Sequence, residues 1–126
     1  MRQAQGGIND VSQVPRKTQR SKKNEAQILL EVHLNEFFDA TVVPEYKFHD
    51  ERRWKFDLAV IEPRLAFEIE GGAFTSGRHT RGQGFVGDMD KYNTAAMFGW
   101  KVLRFTPEQV KKGRVIEFLR KYRRDL

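Results

Sequence analysis

The stretch Trp54–Gly72, which reads WKFDLAVIEPRLAFEIEGG, decides the fold, because its pattern is that of two strands joined by a tight turn. Large apolar side chains recur at every second residue over residues 54–60 and again over residues 65–69, which is the period of a β-strand. Pro63 has a preset φ and is predicted at the second position of the turn. The stretch therefore predicts a β-hairpin centred on Pro63 and Arg64.

Three carboxylates are expected to share one face of this hairpin. The predicted turn places Asp57 opposite Glu70 and diagonal to Glu68, and residues in these positions lie on the same face. Like charges on one face repel one another, so the cluster is either solvated or neutralised. Ala59 and Ala66 leave room on this face, and Mg²⁺ is typically held by one or two carboxylates with waters and substrate phosphate. The sequence therefore predicts a Mg²⁺ site, with a solvated acidic face as the alternative.

Length and charge indicate one domain that binds a polyanion. The 126 residues suit a single core of modest size, and the net charge is +6. Residues 1–24 and residues 111–126 each carry +5, which leaves −4 for the middle of the chain. An acidic centre between two basic ends suits a metal site flanked by surfaces that attract nucleic acid, although basic tails can also serve solubility alone.

Several classes of site are excluded by what the sequence lacks. The absence of cysteine excludes disulfides, thiolate metal sites and a cysteine nucleophile. The glycine-rich lysine motif of nucleotide-binding P-loops is missing, so no nucleotide cofactor is expected. No apolar run approaches the length of a membrane span or of a signal-peptide core. We therefore expect an intracellular, cytoplasmic protein without a membrane partner.

The N-terminal segment, residues 1–23, is polar and basic without apolar periodicity, and we predict a flexible arm. A single domain then covers residues 24–126. Asn24 with Gln27 three residues later resembles a capping box and predicts the start of the first helix. Glu25 in its first turn either complements the helix dipole or reaches over the hairpin as a further ligand for metal or water.

A long glycine-rich connection follows the hairpin over residues 73–87. Connections of this length are often functional. Its glycines let the backbone approach a ligand closely, and its basic side chains could contact phosphates. These basic residues are Arg78, His79 and Arg81. The alternative is a disordered connection.

The predicted elements follow the order α-β-β-β-α-β-α, which gives an α/β fold with a central mixed sheet of about four strands flanked by helices. Gly99 is predicted to end the second helix in the left-handed conformation. Lys91 on this helix is either solvated or placed near the metal. Thr106, Pro107 and Gln109 form a capped helix start. The elements outside the hairpin are predicted over Thr41–Phe48 at the sheet edge, Asp88–Phe98, Trp100–Phe105 and from Thr106 towards Arg124.

In this order the chain resembles the PD-(D/E)XK nuclease superfamily, which has a restriction-endonuclease-like core. Within it, the chain is similar to the very-short-patch-repair endonucleases and their uncharacterised bacterial and phage relatives. The resemblance rests on Asp57 in one strand, on Glu68–Gly72 in the next, and on the closing run Gly99–Phe105, GWKVLRF. It covers roughly residues 24–110. Further matching positions are Glu25, His79 and Asp88.

Glu70 departs from the usual pattern, since the superfamily usually has lysine at this position. Relatives of the kind that this chain resembles often carry an acid there, so the departure does not exclude activity. The role of that lysine is then either unfilled or taken by a residue from elsewhere, such as Lys91.

The resemblance implies a Mg²⁺-dependent DNA endonuclease that leaves 5′-phosphate and 3′-hydroxyl ends, in DNA repair or recombination, with Mn²⁺ as a substitute metal. Asp57, Glu68 and the Ile69 carbonyl would hold the metal, with Glu25 or Glu70 as additional ligands. The candidates for proton transfer or phosphate neutralisation are His79 and Lys91, and those for nucleic-acid contacts are Arg78, Arg81, Lys22, Lys23, Arg120 and Arg123.

Two other classes of function compete with the nuclease. A catalytically inactive nucleic-acid-binding protein on the same fold is favoured by Glu70 in place of lysine. A carboxylate-pair glycosidase needs two acids flanking a sugar-sized cleft, and the basic termini and the lack of an aromatic sugar platform disfavour it. The DNA substrate, the choice between nicking and double-strand cleavage, and the formation of a homodimer stay open.

Overall fold

The computed structural model of the protein describes residues 16–71 and 83–126. These residues form a mixed four-stranded sheet with helices packed on it, so the predicted α/β class is confirmed. The elements in chain order are α1 (Gln19–Phe37), β1 (Val42–Lys47), β2 (Lys55–Val60), β3 (Leu65–Ile69), α2 (Gln83–Met97), β4 (Lys101–Phe105), α3 (Pro107–Lys111), α4 (Arg114–Lys121) and a final 3₁₀ turn (Arg123–Asp125).

The sheet has the strand order β1-β2-β3-β4. β1, β2 and β3 form an antiparallel meander, and β4 adds to β3 in parallel after the α2 crossover. All five residues of β3 are buried, as expected for a strand with a neighbour on each side. β1 lies at the edge, which confirms the position predicted from Pro44, because proline cannot donate to a second neighbouring strand.

Two apolar clusters hold the helices on the sheet. One joins α1, α3 and α4 to the hairpin through fully buried side chains such as Leu30, Leu34 and Phe67. The other joins α2 and the start of β4 to the sheet around Phe56, Ala95 and Trp100. Each fully buried large apolar side chain contributes about 1.5–3 kcal/mol to folding relative to an exposed one.

The first helix begins earlier than predicted. Thr18 is its N-cap, with a side-chain oxygen that accepts a hydrogen bond from the Ser21 N–H at 3.0 Å. Asn24 is therefore an exposed residue inside α1, and the capping box predicted for it is wrong. Residues 19–23, which were assigned to the flexible arm, are helical, whereas residues 1–15 of that arm lie outside the described residues.

The hairpin register differs from the predicted one by two residues. Val60 pairs with Leu65 and Ala59 with Ala66, so the turn has four residues, Ile61–Arg64, instead of two. Arg64 adopts a left-handed φ of 53°, and its N–H donates to the Ile61 carbonyl at 3.2 Å. A slip of two residues keeps a regularly alternating side chain on its predicted face. Phe56 departs from this alternation, because it packs with Ala59 and Ala66 while Leu58 packs in the other cluster.

The start of α2 was predicted too late: the helix begins at Gln83 instead of Asp88, so residues 83–87 of the predicted connection are helical. The other helix boundaries follow the sequence signals closely. Gly99 ends α2 with φ of 86°, as predicted for a left-handed cap. Thr106 and Gln109 form the predicted capping box with Pro107 at the helix start. Gly113, with φ of 75°, divides the predicted final helix into α3 and α4.

Candidate functional site

Asp57 and Glu68 come together at the end of the hairpin that lies away from its turn. The register pairs stop at Leu58 with Phe67, and beyond them carboxylates accept hydrogen bonds from the strand backbones. The Asp57 N–H donates to Glu68 Oε2 at 3.1 Å, and the Ile69 N–H donates to Asp57 Oδ2 at 2.7 Å. Continued by one further pair, the observed register brings Asp57 opposite Glu68 instead of diagonal to it as predicted.

Each of the two carboxylates is paired with a lysine from a different helix. Lys23 of α1 places its ammonium 3.2 Å from Asp57 Oδ1, and Lys91 of α2 places its ammonium 2.9 Å from Glu68 Oε1. The Asp57 and Glu68 side chains retain only 13% and 11% of their accessible surface. The site is therefore a largely desolvated cluster in which two negative charges meet two positive ones.

Burial raises the pKa of the Asp57 carboxyl above its ordinary value, and repulsion from Glu68 acts in the same direction. The Ile69 N–H and the Lys23 ammonium oppose this change without cancelling it. A raised pKa means that the charged carboxylate is less stable here than in water. An added cation close to Asp57 would relieve this cost.

Two residues of the site, Tyr92 and Arg104, were not predicted from the sequence. The Tyr92 hydroxyl donates to Glu68 Oε1 at 2.7 Å, and burial together with the Glu68 charge raises the pKa of Tyr92. Arg104 is the register partner of Glu68 on β4, and its guanidinium lies 4.5 Å from the centre of the Tyr92 ring. Because Tyr92 follows Lys91 directly, the sequence could predict that it lies on α2, but not that its hydroxyl contacts Glu68.

Glu70 and Glu25 do not join the two central carboxylates. Glu70 forms an ion pair with Arg104. Glu25 is exposed on α1, where its carboxylate lies 2.8 Å from the Lys17 ammonium and 3.8 Å from that of Lys111. These lysines lower the pKa of Glu25, with Lys17 as the main cause. Neither predicted role of Glu25 is observed: α1 begins at Gln19, so Glu25 does not lie in its first turn, and its carboxylate pairs with these lysines and not with the hairpin carboxylates.

The predicted nucleic-acid contacts divide between two ends of the molecule. Lys22 and Lys23 lie in the first turns of α1, at the carboxylate end. Arg120 and Arg123 line a cleft of about 530 Å³ against the last turns of α1, and Arg123 also lines a smaller one beside Pro63 of the hairpin turn. The residues predicted in the connection after the hairpin, Arg78, His79 and Arg81, lie outside the described residues.

The donor set of the site fits a hard divalent cation with few protein ligands. Within residues 16–71 and 83–126, no group of three or more histidine, cysteine or carboxylate side chains is arranged to hold a metal. Mg²⁺ commonly takes one or two carboxylates and completes its shell with waters and phosphate oxygens. Glu68 accepts two hydrogen bonds at Oε1 but one at Oε2, which leaves acceptor capacity on the side of Asp57.

Comparison with known proteins gives one partial match. The TraY domain family, a DNA-binding family, matches residues 12–44, which include α1 and the first residues of β1. The match is too short to assign the chain to that family. No curated protein and no solved structure matches the chain. None of the helices in the described part of the chain is long and apolar enough to cross a membrane.

Proposed function

We propose that the protein is a Mg²⁺-dependent DNA endonuclease with a restriction-endonuclease-like core. The convergence of Asp57 and Glu68 in one desolvated site is the observation that carries this proposal. The meander of β1–β3, the α2 crossover and the parallel β4 agree with the element order of the superfamily that the sequence resembles. The TraY match supports DNA as the partner.

Asp57 and Glu68 would hold the cation, together with the Ile69 carbonyl. Bound there, Mg²⁺ would act as a Lewis acid on a phosphate oxygen and offset the negative charge that develops during in-line displacement. Lys91 lies beside Glu68 and would contact a nonbridging oxygen of the same phosphate. Lys23 would do so from the side of Asp57. In this arrangement Lys91 supplies the positive charge that Glu70 does not.

A second function is favoured by the ion pairs themselves. Lys23 and Lys91 each form an ion pair with one of the two carboxylates, so part of the negative charge of the site is offset by the protein's own side chains. A DNA-binding protein that keeps this fold without catalysis would show the same pairs, and the TraY match agrees with it equally. The two functions differ in one measurable property, because only the nuclease requires uptake of a divalent cation.

The test is incubation of the full chain with supercoiled plasmid DNA and with mismatched and branched duplexes, in Mg²⁺, Mn²⁺ or EDTA. We expect nicked or linear products with either cation and none in EDTA. Asp57→Asn and Glu68→Gln each remove one charge from the site. We expect each to slow cleavage about 100-fold or more, since a metal stabilises the transition state by several kcal/mol and each 1.36 kcal/mol is tenfold.

Glu62→Gln is the matched control, because Glu62 is exposed in the hairpin turn, at the other end of the same two strands. It should cleave like the wild type. DNA affinity of Asp57→Asn should stay unchanged or increase, because a repulsive charge is lost. Cleavage that survives EDTA, or an Asp57→Asn protein that cuts at the wild-type rate, would refute the nuclease. DNA binding without heat of Mn²⁺ uptake in calorimetry would support the inactive DNA-binding protein.

A further inference from the structure

We propose that Tyr92 and Arg104 are positioning residues for the Glu68 carboxylate, and that Glu70 acts through them instead of as a metal ligand. This inference rests on the proposed function for its catalytic meaning, but its geometry is independent of any metal. It assigns a role to the acid that stands where the resemblance leads one to expect lysine. It also names two residues that the sequence did not single out.

The contacts form a continuous chain from Glu70 to Glu68. Glu70 forms an ion pair with the Arg104 side chain. The Arg104 guanidinium lies 4.5 Å from the centre of the Tyr92 ring, a cation–π distance. The Tyr92 hydroxyl then donates to Glu68 Oε1 at 2.7 Å. Each contact fixes the side chain that makes the next one.

The backbone keeps this chain of contacts in place. Glu68 and Arg104 are register partners on the parallel strands β3 and β4. The Glu70 N–H donates to the Phe105 carbonyl at 2.8 Å, which extends the same ladder past the end of β3. Glu70 therefore lies beside Arg104, two residues beyond Glu68. A carboxylate at position 70 is thus placed to orient Arg104.

Among the described residues, the hydroxyl of Tyr92 is one of three groups that contact the Glu68 carboxylate, and the Asp57 N–H holds the other oxygen, Oε2. Lys91 also reaches Oε1, but an ammonium on a flexible stem has no directional fork. Residues that orient a metal-binding side chain from behind commonly change metal affinity or activity about 10–100-fold when removed. Tyr92 occupies this position relative to Glu68.

The Asp57 amide reports the orientation of Glu68 without metal or DNA, because its N–H donates to Glu68 Oε2. We would measure its hydrogen exchange by NMR in the metal-free full chain, for Tyr92→Phe, Glu70→Gln and the double variant. A hydrogen bond to a charged group contributes enough that its loss should speed exchange about tenfold or more. Tyr122→Phe is the matched control, since Tyr122 is exposed at the end of α4.

A double-mutant cycle decides between an indirect and a direct role of Glu70. If Glu70 acts through Arg104 and Tyr92, the double variant exchanges no faster than the faster single variant. The proposal would be overturned if the increase in exchange rate of the double variant equals the product of the two single increases. It would also be overturned if neither single variant changes the exchange rate. Global unfolding is monitored through the Phe67 amide, which should keep its wild-type rate. A wild-type chain that neither binds Mn²⁺ nor cleaves DNA would refute the nuclease while leaving this readout intact.

Discussion

The Asp57 carboxylate lowers the stability of the fold in its charged form. Its pKa is raised in the folded protein, mainly by burial and further by Glu68, so the folded state binds this proton more tightly than the unfolded chain does. The contribution of Asp57 to the free energy of unfolding therefore falls as the pH rises through the interval above its ordinary pKa of about 3.9. A residue kept at such a cost is typical of a functional site.

Asp57→Asn should therefore raise the free energy of unfolding at neutral pH. Asparagine keeps an oxygen that can accept from the Ile69 N–H and removes the desolvated charge. The lost contact with Lys23 costs little, because that ammonium is partly solvated. We expect a gain of about 0.5–2 kcal/mol, the usual range for stabilising substitutions. Urea unfolding at pH 4 and pH 7 tests it, with the gain larger at pH 7.

The control for Asp57→Asn is Asp50→Asn, which changes an exposed carboxylate in the connection between β1 and β2. It should leave stability unchanged at both pH values. A loss of stability in Asp57→Asn at pH 7 would mean that the pair with Lys23 outweighs the cost of burying the charge.

Lys91→Met should lower the free energy of unfolding, in contrast to Asp57→Asn. The Lys91 and Glu68 side chains retain 13% and 11% of their accessible surface, so the substitution leaves a buried carboxylate unpaired. Removal of one partner from a buried pair costs about 3–5 kcal/mol. A cation that binds at Glu68 would replace the missing charge. Mn²⁺ should therefore raise the thermal midpoint of Lys91→Met more than that of the wild type.

Lys47→Met is the control for this comparison, because Lys47 is exposed on β1. Its thermal midpoint and its response to Mn²⁺ should equal those of the wild type, and cleavage should be lost only in Lys91→Met. An equal Mn²⁺ response in Lys91→Met and the wild type would show that the cation does not bind at Glu68.

At the level of elements, the sequence predicted a helix start correctly where every position of the capping pattern is filled, and not where the pattern is incomplete. Thr106, Pro107 and Gln109 fill every position of a capped helix start, and the helix begins there. Thr18 caps α1 with Ser21 at the third position, where no side chain completes a capping box. The apparent box at Asn24 lies within the helix, because good helix formers precede it and nothing ends the helix earlier.

The hairpin turn could not be read from the sequence because a tertiary contact determines it. Arg64 is not glycine, yet it adopts a left-handed φ, which non-glycine residues rarely do. Its guanidinium donates to the Phe98 carbonyl at 2.6 Å, and its own carbonyl accepts from the Lys101 N–H at 2.9 Å. These partners come from more than thirty residues away.

The site was predicted as far as strand periodicity reaches. Counting alternate residues predicts that Asp57 and Glu68 come close together, and a register error of two residues does not separate them. The strict alternation on which their shared face was predicted breaks at the neighbouring Phe56, which packs with Ala59 and Ala66. Tyr92 and Arg104 depend on how α2 and β4 are placed against β3. A parallel strand joined through a crossover helix leaves no local signal for that register.

The left-handed conformation of Gly113, which separates α3 from α4, can be tested by substitution. Its φ is 75°, and a Cβ added there would meet nothing within 4 Å, so Gly113→Ala changes backbone strain alone. We expect a loss of about 1–2 kcal/mol in the free energy of unfolding. Gly87→Ala is the matched control, since Gly87 lies inside α2 with equal space around it. It should gain about 0.5–1 kcal/mol, and an equal response of both would refute the left-handed assignment.

At the scale of the whole molecule, basic side chains are grouped at the two ends of α1, which lie far apart. The first turns of α1 hold Lys23 against Asp57. Arg123 lies over the Phe37 ring at the other end of α1, beside the hairpin turn. The 1.5 Å rise per helical residue separates these ends by about 20 Å. Of the two basic ends of α1, only its start would lie close to a phosphate held by a cation at the two carboxylates.

The salt dependence of DNA binding should follow this division. Each phosphate neutralised by a basic side chain contributes about 0.9 to the slope of the logarithm of affinity against the logarithm of salt concentration. Arg20→Gln combined with Lys22→Gln, at the start of α1, should reduce the slope by about 2 if each contacts one phosphate. Arg120→Gln combined with Arg123→Gln removes the same charge from the other end and should leave the slope unchanged. Equal reductions in both pairs would place DNA along the whole of α1 and would contradict an approach confined to the carboxylate end.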